Sequence, residues 1–313
     1  MAEESFARLQ QDSSVSIEVS ELDKLLEGSF KPKTDKAKEA IETAVATLVG
    51  QALQDSSLIS DDAVKTIESI ISTIDRKLSE QINKIIHHEE FKALEGSWRG
   101  LHHLVHNTET DETLKIRVLN ISKAEVGKTL KKFKGVSWDQ SPLFKKLYEE
   151  EYGQAGGEPY GCLVGDYYFD HRPQDVAILQ GMAQIAAAAH APFIAGTSPM
   201  LMNMDSWQEL SNPRDLTKIF QSEEYAPWRT FRKSEDSKYI GLAMPRFLSR
   251  LPYSTRDNPV EEFDFEEDTD SADHNKYVWS NSAYAMATNI TQSFKFYGWC
   301  SCIRGAESGG MVP

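Results

Sequence analysis

The chain has 313 residues and a formal net charge of −14, because 34 Lys and Arg residues face 48 Asp and Glu residues. This acidity disfavours binding to nucleic acids and anionic membranes, whose phosphates repel it, and favours basic protein partners. Hydrophobic residues make up 40% of the chain, which is enough for a sizeable core, and the length suggests two domains.

The N-terminus and the cysteines indicate a cytoplasmic protein. Residues 1–5 lack the basic and apolar stretches of a signal peptide. No apolar window approaches the length of about 18 residues that a membrane span needs. Cys162, Cys300 and Cys302 are odd in number, so they form no complete disulfide framework and suit reduced thiols. We therefore expect a cytoplasmic location without membrane insertion.

Residues 1–34 are predicted to be a mobile tail that contains one short helix and ends in a linker. Leu22, Leu25 and Leu26 fall at positions i, i+3 and i+4, which places them on one helix face. A helix of about two turns is not stable alone in water. We therefore expect it either to dock on its own domain or to bind a partner.

Residues 35–108 are predicted to form a helical domain. Three amphipathic helices are expected, at 35–53, from Ser60 to about residue 85, and at 91–106. The third helix carries apolar residues every three or four positions, namely Phe91, Leu94, Trp98, Leu101 and Val105. Such stripes pack against each other or against a helix of another chain.

Residues 109–313 change in character and predict an α/β domain. The predicted strands are 114–118, 162–169, 193–196 and 239–243, with a further strand edge at 263–265, and the predicted helices are 142–150, 173–189, 213–221, 225–232 and 282–296. A strand–helix–strand order at this spacing predicts a right-handed crossover and a parallel pair. The fold class is therefore α/β, with an N-terminal helical domain followed by a mixed α/β domain.

Few residues suggest a reaction centre. His102 and His106 can touch one metal at i, i+4, but the carboxylate of the metalloprotease motif is missing, so polar helix faces are the favoured interpretation. Asp166 and Asp170 end a predicted parallel strand, where α/β active sites lie. Without a nucleophile motif, a loop or N-cap role is favoured, and an enzyme remains the weaker alternative. The acidic run 261–270 is interpreted as a solvated face open to a basic partner or a divalent cation.

Several co-linear segments resemble the large contractile-sheath subunit of the type VI secretion system, the TssC or VipB family. The segments are 74–79 (IDRKLS), 87–101 (HHEEFKALEGSWRGL), 151–154 (EYGQ), 157–161 (GEPYG), 165–167 (GDY), 190–195 (HAPFIA), 241–253 (GLAMPRFLSRLPY), 283–285 (AYA) and 309–310 (GG). No single segment is specific to the family. Their shared order and spacing, from about residue 20 onwards, are specific.

The resemblance implies a structural protein that needs no cofactor and is not an enzyme. Members of the family pair with a small sheath subunit, TssB or VipA. The pairs polymerise around an inner tube of Hcp, connect to baseplate components, and contract to drive secretion. The ClpV ATPase then recycles the contracted sheath through an N-terminal helix, which corresponds here to Leu22, Leu25 and Leu26.

The resemblance also suggests where neighbouring chains attach. The helical domain is expected to bind the small subunit through Phe91, Leu94, Trp98 and Leu101. Terminal arms of family members cross between subunits as added strands, so the edges at 114–118 and 263–265 are candidate docking positions. Family members continue beyond the position of Pro313, so we expect a missing C-terminal part. The alternative function is a regulatory or non-assembling sheath fragment.

Overall fold

The computed structural model describes residues 36, 43, 63–212, 215–261, 263–301 and 303. The predicted helix with Leu22, Leu25 and Leu26 lies outside these residues. Of the predicted helix 35–53, only residues 36 and 43 are described, and both are helical. None of the helices that the structure describes has the length and apolar composition of a bilayer-spanning segment.

Helices and short strands alternate through most of the described chain. The helices are α1 (Ala63–Ile86), α2 (Glu89–His106), α3 (Lys123–Lys132), α4 (Pro142–Phe144), α5 (Pro173–Ala188), α6 (Leu216–Gln221), α7 (Ala226–Arg232) and α8 (Ser282–Tyr297). The strands are β1 (Leu163–Phe169), β2 (Phe193–Thr197), β3 (Ile240–Ala243), β4 (Phe247–Leu248) and β5 (Trp279–Ser280). The predicted fold class, mixed α/β with helices preceding the sheet, is confirmed.

The chain divides into two compact units. One consists of Met1–Ile82 and Val260–Phe265, and the other of Asn83–Pro259 and Glu266–Pro313. In the first unit, burial and the neighbouring Asp264 carboxylate raise the pKa of Asp75 above its usual value. The sheet, helix α2 and the ion-pair network described below belong to the second unit.

A three-stranded parallel sheet organises the second unit. Its strand order is β1-β2-β3, so β2 is central and β1 and β3 are the edges. All five residues of β2 are buried, as expected for a central parallel strand covered on both faces. Pro173 lies at the first helical position of α5, where its missing N–H costs nothing. The predicted strand–helix–strand order and parallel pairing are confirmed.

Helices cover the sheet and complete the core. Helix α5 packs on the three strands and on α3, while α8 packs on the sheet and on α2. Phe169, Leu179 and Ile185 are almost fully excluded from solvent in this core. At Gly196 in β2 an added Cβ would lie 2.5 Å from Oδ1 of Asn281, the N-cap residue of α8. The absence of a side chain at Gly196 therefore lets α8 begin directly against the central strand.

Three predicted elements differ in the structure. Residues 114–118 and 263–265 are not strands. Alternation alone does not make a strand, because a strand needs a hydrogen-bonded neighbour, and the described residues provide neither segment with one. The predicted helix 142–150 begins as expected, with the Ser141 hydroxyl accepting the Phe144 N–H, but it continues as a π-helix over Lys145–Glu149.

Candidate interaction site

Helix α2 buries a face that is lined by glycines. Gly96, Gly100 and Leu104 are its buried residues. A Cβ at Gly96 would lie 2.4 Å from the Trp279 carbonyl oxygen, and one at Gly100 would lie 2.4 Å from Cδ2 of Tyr284. The two glycines therefore allow β5 and α8 to approach the helix backbone closely.

The predicted apolar stripe mostly lies on the opposite face of α2. Phe91, Leu94, Trp98 and Val105 are 40%, 56%, 65% and 44% exposed, and we call these four residues the α2 apolar face. Leu101 is half-buried and packs with Leu104 and Tyr284. The sequence left open whether the stripe packs inside this chain or against another chain, and among the described residues only Leu101 of the stripe is half-buried in this way.

The α2 apolar face has the composition of a protein–protein contact. Burial of apolar surface is favourable by about 25 cal/mol per Å². Large apolar side chains that lie together on a helix surface do not gain this free energy while they face water. Contiguous apolar patches on monomeric proteins are small and often functional. Trp98, at 65% exposure, is the most exposed of the four, and tryptophan is among the residues that contribute most to binding energy.

A buried ion-pair network fixes the orientation of α2. The Arg250 Nε donates to Glu95 Oε1 on the helix at 2.7 Å, and its two terminal nitrogens donate to the Glu267 carboxylate at 2.5 and 3.1 Å. Arg99 Nε also donates to Glu95 Oε1, at 2.7 Å. The side chains of Arg250 and Glu267 are 7% and 1% exposed. The network joins α2 to residues far along the chain and keeps the helix from rotating.

The pKa values in this network shift as expected for a buried pair. Burial acts to raise the pKa of Glu95, but hydrogen bonds from Arg250 and Arg99 outweigh it and hold this pKa below its usual value. Burial acts to lower the pKa of Arg250, but the hydrogen bonds that its guanidinium donates to Glu267 and Glu95 outweigh burial and raise this pKa. Each group therefore stabilises the charged form of its partner.

The acidic run 261–270 is only partly a solvated face. Glu267 is buried and also accepts the backbone N–H of Tyr253 at 2.9 Å. Glu266 accepts from the Thr255 N–H and hydroxyl, and Asp268 forms an ion pair with Lys276 at 2.9 Å. The interpretation of the run as one solvated surface is therefore wrong for Glu267, which has a structural partner.

The two candidate acid–base residues make structural contacts. Asp170 is buried, and its Oδ1 accepts the Arg172 N–H at 2.8 Å in the turn before α5. Asp166 lies beside Tyr284, whose pKa is raised by burial and by this carboxylate. The loop role favoured for Asp170 matches its contacts.

The two histidines of the pair contact each other. The rings of His102 and His106 stack with their centroids 3.6 Å apart, and His106 Nδ1 lies 3.2 Å from the His102 carbonyl oxygen. Across the described part of the chain, no three His, Cys, Asp or Glu residues are placed to hold a metal ion together.

Burial raises the pKa of the Cys162 thiol to about 12, so this thiol is protonated at neutral pH.

Sequence reasoning missed the residues that fix α2 in place. The spacing of Gly96 and Gly100, one turn apart on the face opposite Trp98, was an available signal for close packing. The Arg250 network had no such signal, since Glu95 and Arg250 are 155 positions apart.

Comparisons with known proteins agree with the resemblance. The sequence pattern of the family described as VipB: EvpB/VC_A0108, tail sheath N-terminal domain, matches residues 68–313. The chain belongs to this VipB tail-sheath family. A curated relative, the type VI secretion system sheath protein TssC1 of Pseudomonas aeruginosa PAO1, is 67% identical over 312 residues. The alignment covers 100% of this chain and 63% of TssC1, so the chain spans less than two thirds of that relative.

Membership of the VipB family bears on how the exposed face of helix α2 is interpreted. The family consists of structural sheath proteins and is not a known enzyme family. The matched range includes all of α2, the sheet and α8. A sheath protein needs surfaces that bind other chains, and the α2 apolar face is an exposed apolar surface among the described residues.

Proposed function

We propose that this chain is a structural subunit of the type VI secretion contractile sheath and that it pairs with the small sheath subunit through the α2 apolar face. The exposure of Phe91, Leu94 and Trp98 on a helix whose other face is firmly packed carries the proposal. Their spacing of three and four residues suits a helix from the partner, whose side chains fill the same seam.

The rest of the proposal follows from the family. The paired subunits polymerise around the inner Hcp tube, attach to baseplate components, and contract in the cytoplasm to drive secretion. The energy of contraction comes from repacking of subunit contacts, so no cofactor is involved. Leu22, Leu25 and Leu26 would then supply the helix that the ClpV ATPase recognises, through a helix-in-groove contact.

Co-purification with the small sheath subunit tests the pairing. We expect the two chains, when co-expressed with a tag on the small subunit, to elute as one soluble complex. Replacing Leu94 with Asp puts a charge in the centre of the seam and should reduce the recovered complex by about tenfold or more, since a buried unpaired charge costs several kcal/mol. Trp98→Ala should weaken the complex through lost apolar contact.

Leu210→Asp is the matched control, because Leu210 is 49% exposed, close to the 56% of Leu94, but lies in another part of the chain. It should leave the complex intact. Equal recovery of the complex with Leu94→Asp and Leu210→Asp would reject the α2 apolar face as the pairing surface. Electron microscopy of the wild-type complex adds a second readout, since tubes support a polymer and their absence supports the non-assembling fragment.

A further inference from the structure

A cavity of about 380 Å³ lies in the second unit, apart from the α2 apolar face. Four of its twelve lining residues are aromatic, namely Tyr168, Trp207, Tyr277 and Trp279. The same lining includes two cations, Lys92 and Arg246. A cavity with aromatic walls and a few convergent charged groups is the usual form of a small binding site.

Arg246 is the cation of this cavity that has a buried nitrogen without a hydrogen-bond acceptor among the described residues. Its Nε is buried, and no described residue accepts a hydrogen bond from that nitrogen. The guanidinium lies over the Trp279 ring, 4.7 Å from the ring centroid. Burial lowers the pKa of Arg246, against a smaller opposite effect of Tyr168. Cation–π contact orients the guanidinium but provides no hydrogen-bond acceptor for the Nε–H donor.

Arg250, four positions along the same segment, provides a direct comparison. Its guanidinium is met by two carboxylates, Glu95 and Glu267. Both arginines are partly removed from water, yet none of the ion pairs between described residues involves Arg246. A desolvated guanidinium is stabilised by a planar carboxylate that accepts two parallel hydrogen bonds. The chemistry complementary to Arg246 is therefore a carboxylate.

The remaining polar groups limit the charge of such a ligand. Lys92 Nζ donates to the Asn275 carbonyl at 2.6 Å, which holds a second positive charge at the cavity. Asp205 is exposed and belongs to the same lining. The Asp205 carboxylate repels a dianion more strongly than a monoanion. A single carboxylate fits this balance better than a phosphate.

We propose that this cavity binds a carboxylate group, held in a two-point contact by Arg246 and flanked by the rings of Trp279 and Tyr277. The carboxylate comes either from an acidic side chain of another polypeptide segment or from a free organic acid. The inference concerns a surface separate from the pairing face and does not depend on the proposed pairing.

Titration of the whole chain with four probes tests the proposal. Benzoate represents a free acid, with benzamide as its uncharged control, and a capped pentaglutamate peptide represents a protein segment, with capped pentaglutamine as its control. The readout is the side-chain Nε–H signal of Arg246 in an NMR spectrum, assigned by its loss in Arg246→Lys. We expect at least one carboxylate probe to shift this signal and neither amide probe to do so.

Calorimetry on variants gives the second measurement. Arg246→Lys keeps the charge but loses the two-point geometry, so the affinity for the bound carboxylate probe should fall about tenfold. Arg232→Gln removes an exposed arginine elsewhere and should leave the affinity unchanged. The net charge of −14 opposes general attraction of acidic probes, which keeps unspecific binding low.

The outcomes separate the two sources. Binding of benzoate alone assigns the site to an organic acid. Binding of pentaglutamate assigns it to a protein segment. Either result supports the proposal. No shift of the Arg246 signal with either carboxylate at millimolar concentration would overturn it. Equal affinity of wild type and Arg246→Lys would overturn it as well.

Discussion

Replacement of Gly96 by alanine probes the packing that holds helix α2 in place. An added Cβ would lie 2.4 Å from the Trp279 carbonyl oxygen, well inside van der Waals contact, and this neighbour is backbone that cannot rotate away. The Gly96 carbonyl also accepts a hydrogen bond from the buried Ser280 hydroxyl at 2.7 Å. The helix and β5 must therefore move apart, and the hydrogen bond must lengthen.

The magnitude follows from two opposing effects. Overpacking of this kind costs about 1–3 kcal/mol, while alanine is better than glycine in a helix by about 1 kcal/mol. Since the clash is with backbone, we take the upper part of the first range and expect a net loss of about 1–2 kcal/mol in the free energy of unfolding. For a unit of this size, that corresponds to a fall in melting temperature of about 2–8 °C.

Thermal and urea unfolding, followed by circular dichroism, measure this change. Gly127→Ala in α3 is the matched control, because its Cβ would meet only the Ile178 side chain, with Cδ1 at 3.1 Å and Cγ1 at 3.4 Å. The tip of Ile178 can shift, so this variant should be neutral or stabilised by up to about 1 kcal/mol. A Gly96→Ala protein that melts at or above the wild-type temperature would refute the packing argument.

Two further predictions concern the ion-pair network. Arg250→Ala leaves the Glu267 carboxylate, 1% exposed, without its main partner, and should lower the free energy of unfolding by about 3–5 kcal/mol in urea titrations. Glu95 has a folded-state pKa below its usual 4.5. Its contribution to stability is therefore fully present above pH 4.5 and is lost as the pH falls through the folded pKa, so Glu95→Gln should make stability less dependent on acid pH.

Controls for these two predictions use the same chain. Arg232→Ala removes an exposed arginine and should change stability by less than about 0.5 kcal/mol. An Arg250→Ala protein as stable as Arg232→Ala would show that the network contributes nothing. If the free energy of unfolding falls with acid pH in the same way in wild type and Glu95→Gln, Glu95 does not contribute to the acid sensitivity.

Much of the secondary structure was predictable because local signals agreed. The apolar residues of β1 and β2, with Pro173 opening the helix between them, predict a strand–helix–strand unit and hence a parallel pair. The segment 114–118 had only alternation, with no partner strand, and it is not a strand in the structure. Pairing is a non-local property, so alternation by itself was insufficient.

The candidate interaction site was predictable only in part. Periodicity placed Phe91, Leu94 and Trp98 on one face of a helix, and the helix is there. Periodicity does not state whether the face meets its own chain or another chain, because both give the same spacing. Leu101 illustrates the limit, since it shares the stripe but packs with Leu104 and Tyr284.

The sequence by itself determined the family, the fold class and the strand–helix–strand unit of β1, α5 and β2, because these depend on local patterns of apolar residues, prolines and glycines. Only the tertiary structure decided which face of α2 is buried and which acidic residue of the run 261–270 is internal. Glu267 is buried because Arg250 and Tyr253 reach it from the neighbouring segment. Such contacts depend on how distant segments meet in space, and no local spacing encodes them.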